Sequence, residues 1–262
     1  MKKIIVTGGA GFIGSHIVDR LIIEGYEVAV LDNISSGNRL NINDKAKLYE
    51  IDLYNGDIGS AIQDFQPNLV FHLAAQSSVS VSELNPSEDA SNNILGSLNL
   101  YKACKNTSVE KIILSSTGGA IYGNQDEFPC SENSSLNPIS PYGVSKLTTE
   151  KYLEVFAGLY GYQYTILRYG NVYGPRQNPS GEAGVISIFA GLLLKGDSVK
   201  IFGDGSQLRD YIYISDVVDA NLLAMNAPNK SIYNISSNKA TSVIEIFTLI
   251  KSLTKSTNNP VF

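Results

Sequence analysis

Tyr142 and Lys146 stand four positions apart in SPYGVSK, residues 140–146, and that spacing brings two side chains onto one face of a helix. A phenol has an ordinary pKa near 10, too high for an efficient base at neutral pH. A neighbouring ammonium favours the phenolate and brings that value toward the working range, so the pair suits proton exchange with a substrate hydroxyl. The same residues also suit an ordinary first helical turn, and in a chain with 15 tyrosines and 20 lysines and arginines such pairs arise by chance. The segment alone leaves both readings open.

A use for the pair comes from the N-terminal segment TGGAGFIG, residues 7–14, which follows one apolar run and opens a helical pattern from about Ile13. Gly9, Gly11 and Gly14 satisfy G-x-G-x-x-G, while Gly8, Gly11 and Gly14 give an evenly spaced variant. Such a loop permits a tight turn, close approach of backbone to a diphosphate, and helix N–H groups aimed at the anion. Asp32 ends the second apolar run, 18 residues beyond Gly14, where a carboxylate accepts hydrogen bonds from an adenosine ribose. A carboxylate there repels a 2′-phosphate, so NAD is favoured over NADP, with Arg39 keeping the phosphorylated form open. Asp52, after the next strand, suits either the adenine amino group or the cap of a turn. Thr117, ending the run KIILSST, suits a hydroxyl beside the substrate oxygen that Tyr142 deprotonates, or an ordinary polar strand end.

Short β-branched runs must position these residues: KIIVT, EVAVL, LVFHLA, KIILSS and YTILRYG alternate with segments of helical period, including one near 90–105 and one running on from Lys146. This is the pattern of βαβ units in a parallel sheet covered on both faces. The expected fold is therefore α/β, a Rossmann-type doubly wound sheet over residues 1–170. Residues 171–262, more mixed, form a smaller lobe whose parts interleave with the first. Ser140 caps the helix carrying Tyr142, and Pro141 suits its first turn.

At 262 residues and 43% hydrophobic content the chain can bury a substantial core. Its net charge of −5 gives no general attraction for nucleic acid or an anionic membrane. GVISIFAGLLL falls short of the roughly 18 apolar residues of a membrane span, and MKKIIVTGG is unlike a signal peptide. Cys104 and Cys130 are too few for a disulfide framework. A soluble cytoplasmic protein is expected. His16 and His72 lack metal-ligand spacing and are read as structural.

Glycine loop, Asp32, Thr117 and Tyr142-x-x-x-Lys146 in this order resemble the extended short-chain dehydrogenase/reductase superfamily. More narrowly the chain resembles the nucleotide-sugar epimerases, through TGGAGFIG (7–14), LDN (31–33), HLAAQ (72–76), NNILGSLN (92–99), SSTGGAIYG (115–123), SPYGVSK (140–146), LRYGNVYGPRQ (167–177) and GDGSQLRDYIYISDV (203–217). The resemblance implies a bound NAD touched by Gly8, Gly11, Phe12, Ile13 and Gly14, by Asp32, Asn33, Ser36, Gly37, Asp52 and Leu53, and by Leu73, Ala74, Ala75, Gln76, Asn92, Ser115, Tyr142, Lys146 and Tyr169. It implies a UDP-sugar held by Thr117, Tyr142, Asn171, Arg176 and Arg209, with Arg209 in a loop and suited to a diphosphate by charge and shape. The implied activity is epimerisation at C4 of a UDP-hexose through a 4-keto sugar, with Thr117, Tyr142 and Lys146 catalytic.

Gly118 and Gly119 stand where a 4,6-dehydratase of this superfamily carries an acidic pair, which disfavours dehydration. An NAD-dependent nucleotide-sugar dehydrogenase or reductase, a 4-epimerase of UDP-GlcNAc or UDP-glucuronate, and a non-catalytic NAD-binding regulator remain alternatives. Relatives extend a few tens of residues past the position of Phe262, and a further phosphate-binding arginine and a residue limiting sugar size are expected there. The superfamily also implies a homodimer.

Overall fold

The computed structural model describes residues 2–179 and 184–262. In chain order the elements are β1 (Lys3–Thr7), α1 (Phe12–Ile23), β2 (Glu27–Asp32), a 3-10 turn (Arg39–Asn41), β3 (Lys47–Glu50), α2 (Ile58–Phe65), β4 (Leu69–His72), α3 (Val79–Leu84), α4 (Pro86–Ala90), a π turn (Ser91–Leu95), α5 (Gly96–Ala103) and β5 (Lys111–Thr117). They continue with α6 (Pro141–Tyr160), β6 (Gln163–Tyr169), β7 (Asn171–Tyr173), α7 (Val185–Lys195), β8 (Leu208–Tyr213), α8 (Ile214–Ala224), β9 (Ser231–Ile235), β10 (Ala240–Ser242) and α9 (Val243–Thr254).

The chain forms two compact units, Met1–Tyr169 with Ser215–Ile235, and Gly170–Ile214 with Ser236–Phe262. Residues 215–235 thus group with the first unit, across the boundary expected near residue 170. The reason is strand pairing: β9 adds to β6 in parallel, Thr165 opposite Ser231 through Tyr169 opposite Ile235. Lys111 on β5 fastens the preceding helix, its Nζ donating to the carbonyls of Ala224 at 2.7 Å and Ala227 at 2.8 Å.

In the first unit a seven-stranded sheet runs β3-β2-β1-β4-β5-β6-β9, parallel throughout. Chain order reverses between β1 and β4, and such a reversal opens a crevice at the carboxyl ends of the strands. Ile5, Leu31, Val70, Ile112, Leu114 and Ile166 fill one face against Ile62 and Phe65 of α2, Leu100 and Tyr101 of α5 and Leu153 of α6. Strands buried on both faces have no polar side to alternate, which is why they read as unbroken apolar runs.

The helix expected near 90–105 runs without interruption through α4, the π turn and α5, residues 86–103, with helical dihedrals at both junctions. Ser140 accepts from the N–H of Gly143 at 3.2 Å with Pro141 at the start, so α6 begins where the capping pattern puts it. In the second unit β10, β8 and β7 form a small mixed sheet. Its core gathers Phe189 and Leu193 of α7, Val199, Ile201, and Ile246, Phe247 and Ile250 of α9.

Candidate active site

The glycines of the first turn are fixed by close packing. A Cβ on Gly14 would stand 2.2 Å from the Gly8 carbonyl oxygen, and one on Gly8, at φ +71°, would stand 2.7 Å from the Ala74 nitrogen. Gly11 differs, since a Cβ there would approach only the Gly8 oxygen, at 3.2 Å, and otherwise meets open space. Helix α1 begins beside it with no side-chain cap, so its first N–H groups, which lack intrahelical acceptors, suit an anion.

Asp32 is buried, and its two carboxylate oxygens accept from the N–H groups of Ala10 at 2.9 Å and Ile34 at 2.8 Å. A carboxylate so oriented keeps lone pairs for further donors. Gly37 sits over the same loop, where a Cβ would lie 2.8 Å from that of Ala10, while Ser36 beside it is exposed. Asp52 accepts from Asn33 at 2.6 Å and from the N–H groups of Tyr54 and Asn55, which is the turn-capping arrangement. Burial opposes its ionisation, but these donors outweigh burial and hold its pKa below the ordinary value. Arg39 is paired with Glu50. The open backbone at Gly11, the uncapped helix and the oriented Asp32 fit a dinucleotide, and the one cation raised for a 2′-phosphate is engaged elsewhere.

At the end of β4, Thr7 Oγ1 accepts from the N–H groups of Leu73 and Ala74, each at 3.1 Å. Its own proton then points to Nδ1 of His72, 2.8 Å away, which leaves Nε2–H to donate to Ser97 at 2.8 Å. His72 is thus a neutral strut, its pKa brought down to about 3 by burial and then by the charge of Lys146. The following loop, with Ala75 and Gln76, is held by the π turn: Gln76 N–H donates to Asn93 at 2.8 Å, and Asn93 donates back to the Gln76 carbonyl at 2.9 Å. Asn92 precedes that anchor in the same turn, and Leu53 is buried, with the Asn99 side chain donating to its carbonyl.

Tyr142, half-buried at the start of α6, shares a hydrogen bond with Thr117 at the end of β5. Lys146 lies one turn further along α6 and is buried. The expected lowering of the phenol pKa by the lysine is not the balance found. Burial pushes Tyr142 up to about 12, the Asp89 carboxylate adds to this, and only Thr117 works the other way. Burial likewise brings Lys146 down to about 8, against Glu150 and Asp89, which favour its charge. Both carboxylates lie outside the motif that identifies the pair.

Tyr169 is buried and its hydroxyl is shared with Asn221 on α8, at 2.7 Å from Nδ2, and with Ser115. Its polar group is committed within the fold, so it offers a ligand its ring. In the second unit Asn171 and Arg209 sit on paired strands, β7 and β8, so Arg209 is not in a loop as expected. They line a cavity of about 380 Å³ with Lys200, Phe202, Gln207 and Tyr211. No spacing signal marked those four. Asn171 is oriented by donating to the Asp210 carbonyl at 3.0 Å, Asp210 accepts from Ser237 and Lys239, and Arg209, whose guanidinium donates to the Leu208 carbonyl at 2.8 Å, lines the same cavity. Arg176 is exposed in the turn after β7, at φ +67°, and is not among the residues lining the cavity.

The family model for NAD dependent epimerases and dehydratases matches residues 4–236. The chain belongs to that family. A crystal structure of UDP-glucose 4-epimerase with UDP-glucose from Thermotoga maritima is 51% identical, with a TM-score of 0.97, and the match covers 99% of this chain and 84% of that one. The Thermus thermophilus UDP-glucose 4-epimerase in complex with NAD is 43% identical, with a TM-score of 0.95, over 99% and 85% of the two chains. The UDP-glucose 4-epimerase of Mycolicibacterium smegmatis is 40% identical over 99% of this chain and 85% of its own length. Within this NAD-dependent epimerase/dehydratase family, Gly118 and Gly119 leave no acid directly after Thr117. No helix among the described residues is long and apolar enough to cross a membrane.

Proposed function

We propose that this chain is an NAD-dependent UDP-hexose 4-epimerase interconverting UDP-glucose and UDP-galactose. The observation that carries this reading is the Tyr142 phenol hydrogen-bonded to Thr117, one helical turn from a buried Lys146 and at the carboxyl edge of the sheet.

The glycine loop and Asp32 would hold NAD, which when bound supplies a reversible hydride acceptor. Tyr142 takes the proton of the sugar 4-hydroxyl and later returns one to the same oxygen, so a single group serves as base and acid over the cycle. Thr117 fixes the phenol and favours its ionised form. At neutral pH Lys146, with a pKa of about 8, is largely an ammonium whose charge suits a phenolate beside it. Arg209 and Asn171 suit the diphosphate, the first by charge and fork geometry and the second as an oriented amide. Held by its diphosphate, the nucleotide leaves the hexose free to turn between the two half-reactions, and the glycines after Thr117, in place of an acid, disfavour the elimination of water.

The decisive experiment incubates the purified protein with UDP-galactose, with and without NAD, and resolves the nucleotide sugars by chromatography. UDP-glucose should form without net NADH, and Tyr142→Phe should lower turnover at least ~100-fold while keeping NAD binding. NADH accumulating in step with substrate loss would instead mark a dehydrogenase.

The reading extends to a homodimer built on α6. Tyr152, Val155 and Leu159 follow one another at helical spacing on its surface, Val155 56% and Leu159 68% exposed. Sedimentation velocity should give a dimer for the native chain and a monomer for Val155→Glu; a native monomer sinks this part. Cys104 and Cys130 are free thiols, which suits a reducing, cytoplasmic setting.

A further inference from the structure

Asp89 stands in the sequence as one more acid before a polar turn, but its side chain is 1% exposed. A carboxylate is rarely buried so fully unless it is paired, because losing water costs more than neutral hydrogen bonds return. Three donors reach it, from three separate segments. Oδ1 accepts from Gln76 at 3.0 Å and Asn93 at 2.9 Å, and Oδ2 accepts from Ser145 at 2.5 Å. None of the three is charged. Among the described residues no lysine or arginine forms an ion pair with it, whereas the other buried acid of this region, Glu150, is taken up by Arg168 at 2.7 Å.

We infer that Asp89 is a positioning residue of the active site: its carboxylate registers α6 against the Gln76 loop through Ser145, and its unneutralised charge is the counterweight to the ammonium of Lys146. Ser145 lies between Tyr142 and Lys146 in sequence, so the bond it donates to Asp89 is made on the very turn that carries the pair. Neutral donors satisfy the oxygens but leave the negative charge to act on its surroundings.

That charge acts in one direction on both partners, favouring the protonated phenol of Tyr142 and the protonated amine of Lys146. Helix α4 packs against α3, α6 and the π turn. The charged or titratable groups facing the cluster are Tyr142, Lys146 and Glu150 from α6, with neutral His72 of β4 beside Lys146. Glu83 of α3 and Glu88 of α4 itself are exposed.

Asp89→Asn keeps the shape and removes the charge. Its bell-shaped pH profile should move as a whole to lower pH by about one unit, because the phenolate forms more easily and the ammonium is lost sooner. Only this kinetic arm rests on the epimerase reading. The second arm needs no turnover: ¹³C-labelled lysine NMR of the NAD-loaded protein, with Lys146→Met giving the assignment, should report Lys146 titrating about one unit lower in Asp89→Asn. A native protein without epimerase activity would sink the earlier reading and leave this one to the lysine titration. Ser145→Ala, which removes a bond and keeps the charge, should lower kcat several-fold with both limbs in place.

Asp89→Asn with unmoved limbs and an unmoved lysine titration would reduce Asp89 to a structural part and overturn the proposal, as would Ser145→Ala moving the limbs equally. If Asp89→Asn is too unstable to assay, adding Lys146→Met should recover part of the lost stability, and strictly additive losses count against the proposal.

Discussion

Thr117 decides how ionisable Tyr142 is, because its hydroxyl is the one neighbour that lowers a phenol pKa which burial and Asp89 raise to about 12. Thr117→Val keeps the volume and removes that donor. Tyr142 should then stay protonated to higher pH, so the acidic limb of the kcat profile moves upward while the alkaline limb stays; an unmoved acidic limb refutes the assignment. His72 makes a second pH prediction. Its pKa of about 3 in the folded chain lies below the ordinary 6.5, so in that interval the unfolded chain binds a proton that the folded one refuses. Stability should therefore fall as pH drops below about 6.5, by about 2 kcal/mol at pH 5, and His72→Gln should flatten that slope in urea melts. At this scale the sequence named Tyr142, Lys146, Thr117 and Asp32, because chemistry restricts residue type and spacing. It did not reveal the ionisation balance, since Asp89 reaches the pair from another element and burial has no local signature.

Helix α6 carries more than the pair. Two turns beyond Tyr142, Glu150 forms a fork with Arg168 of β6 at 3.1 and 2.7 Å, both side chains fully enclosed, and Arg168 also donates to the Tyr122 hydroxyl at 3.0 Å. The helix is thus locked to the strand beneath it by charge as well as by Leu153. Arg168→Met leaves a buried unpaired carboxylate and should cost about 3–5 kcal/mol, whereas replacing both partners by apolar residues of similar volume should restore most of it. Urea midpoints of the single and double variants test this, and equal losses in the two would deny the pair its electrostatic role. The start of α6 was legible because Ser140 and Pro141 act locally. The π turn inside the helix near 90–105 was not, because it preserves the apolar rhythm of a helix, and its Asn93 bonds to Gln76, a contact distant in sequence.

Over the whole molecule, β6, α8 and β9 form one βαβ unit, and residues 170–214 are an insertion in its first connection. The parallel sheet could be read from its apolar runs, but ownership of its last strand could not. Ser231–Ile235 is only partly covered and alternates no more clearly than Leu208–Tyr213, so only pairing separates them. A chain ending at residue 170 would leave β6 as an unpaired edge, take Asn221 from Tyr169, and strip both carbonyl acceptors from Lys111. An exposed apolar edge is an aggregation site, so that fragment should be insoluble or bind hydrophobic dyes without a cooperative melt. The loop from a strand to its following helix ordinarily needs only about 2–6 residues. Replacing residues 170–214 by a glycine-serine linker of about six and ending at residue 235 should therefore give a unit that melts cooperatively and binds NAD. Cooperative folding by the 170-residue fragment alone, or failure of the linked unit to fold, would show that β9 and α8 are not integral to the first unit.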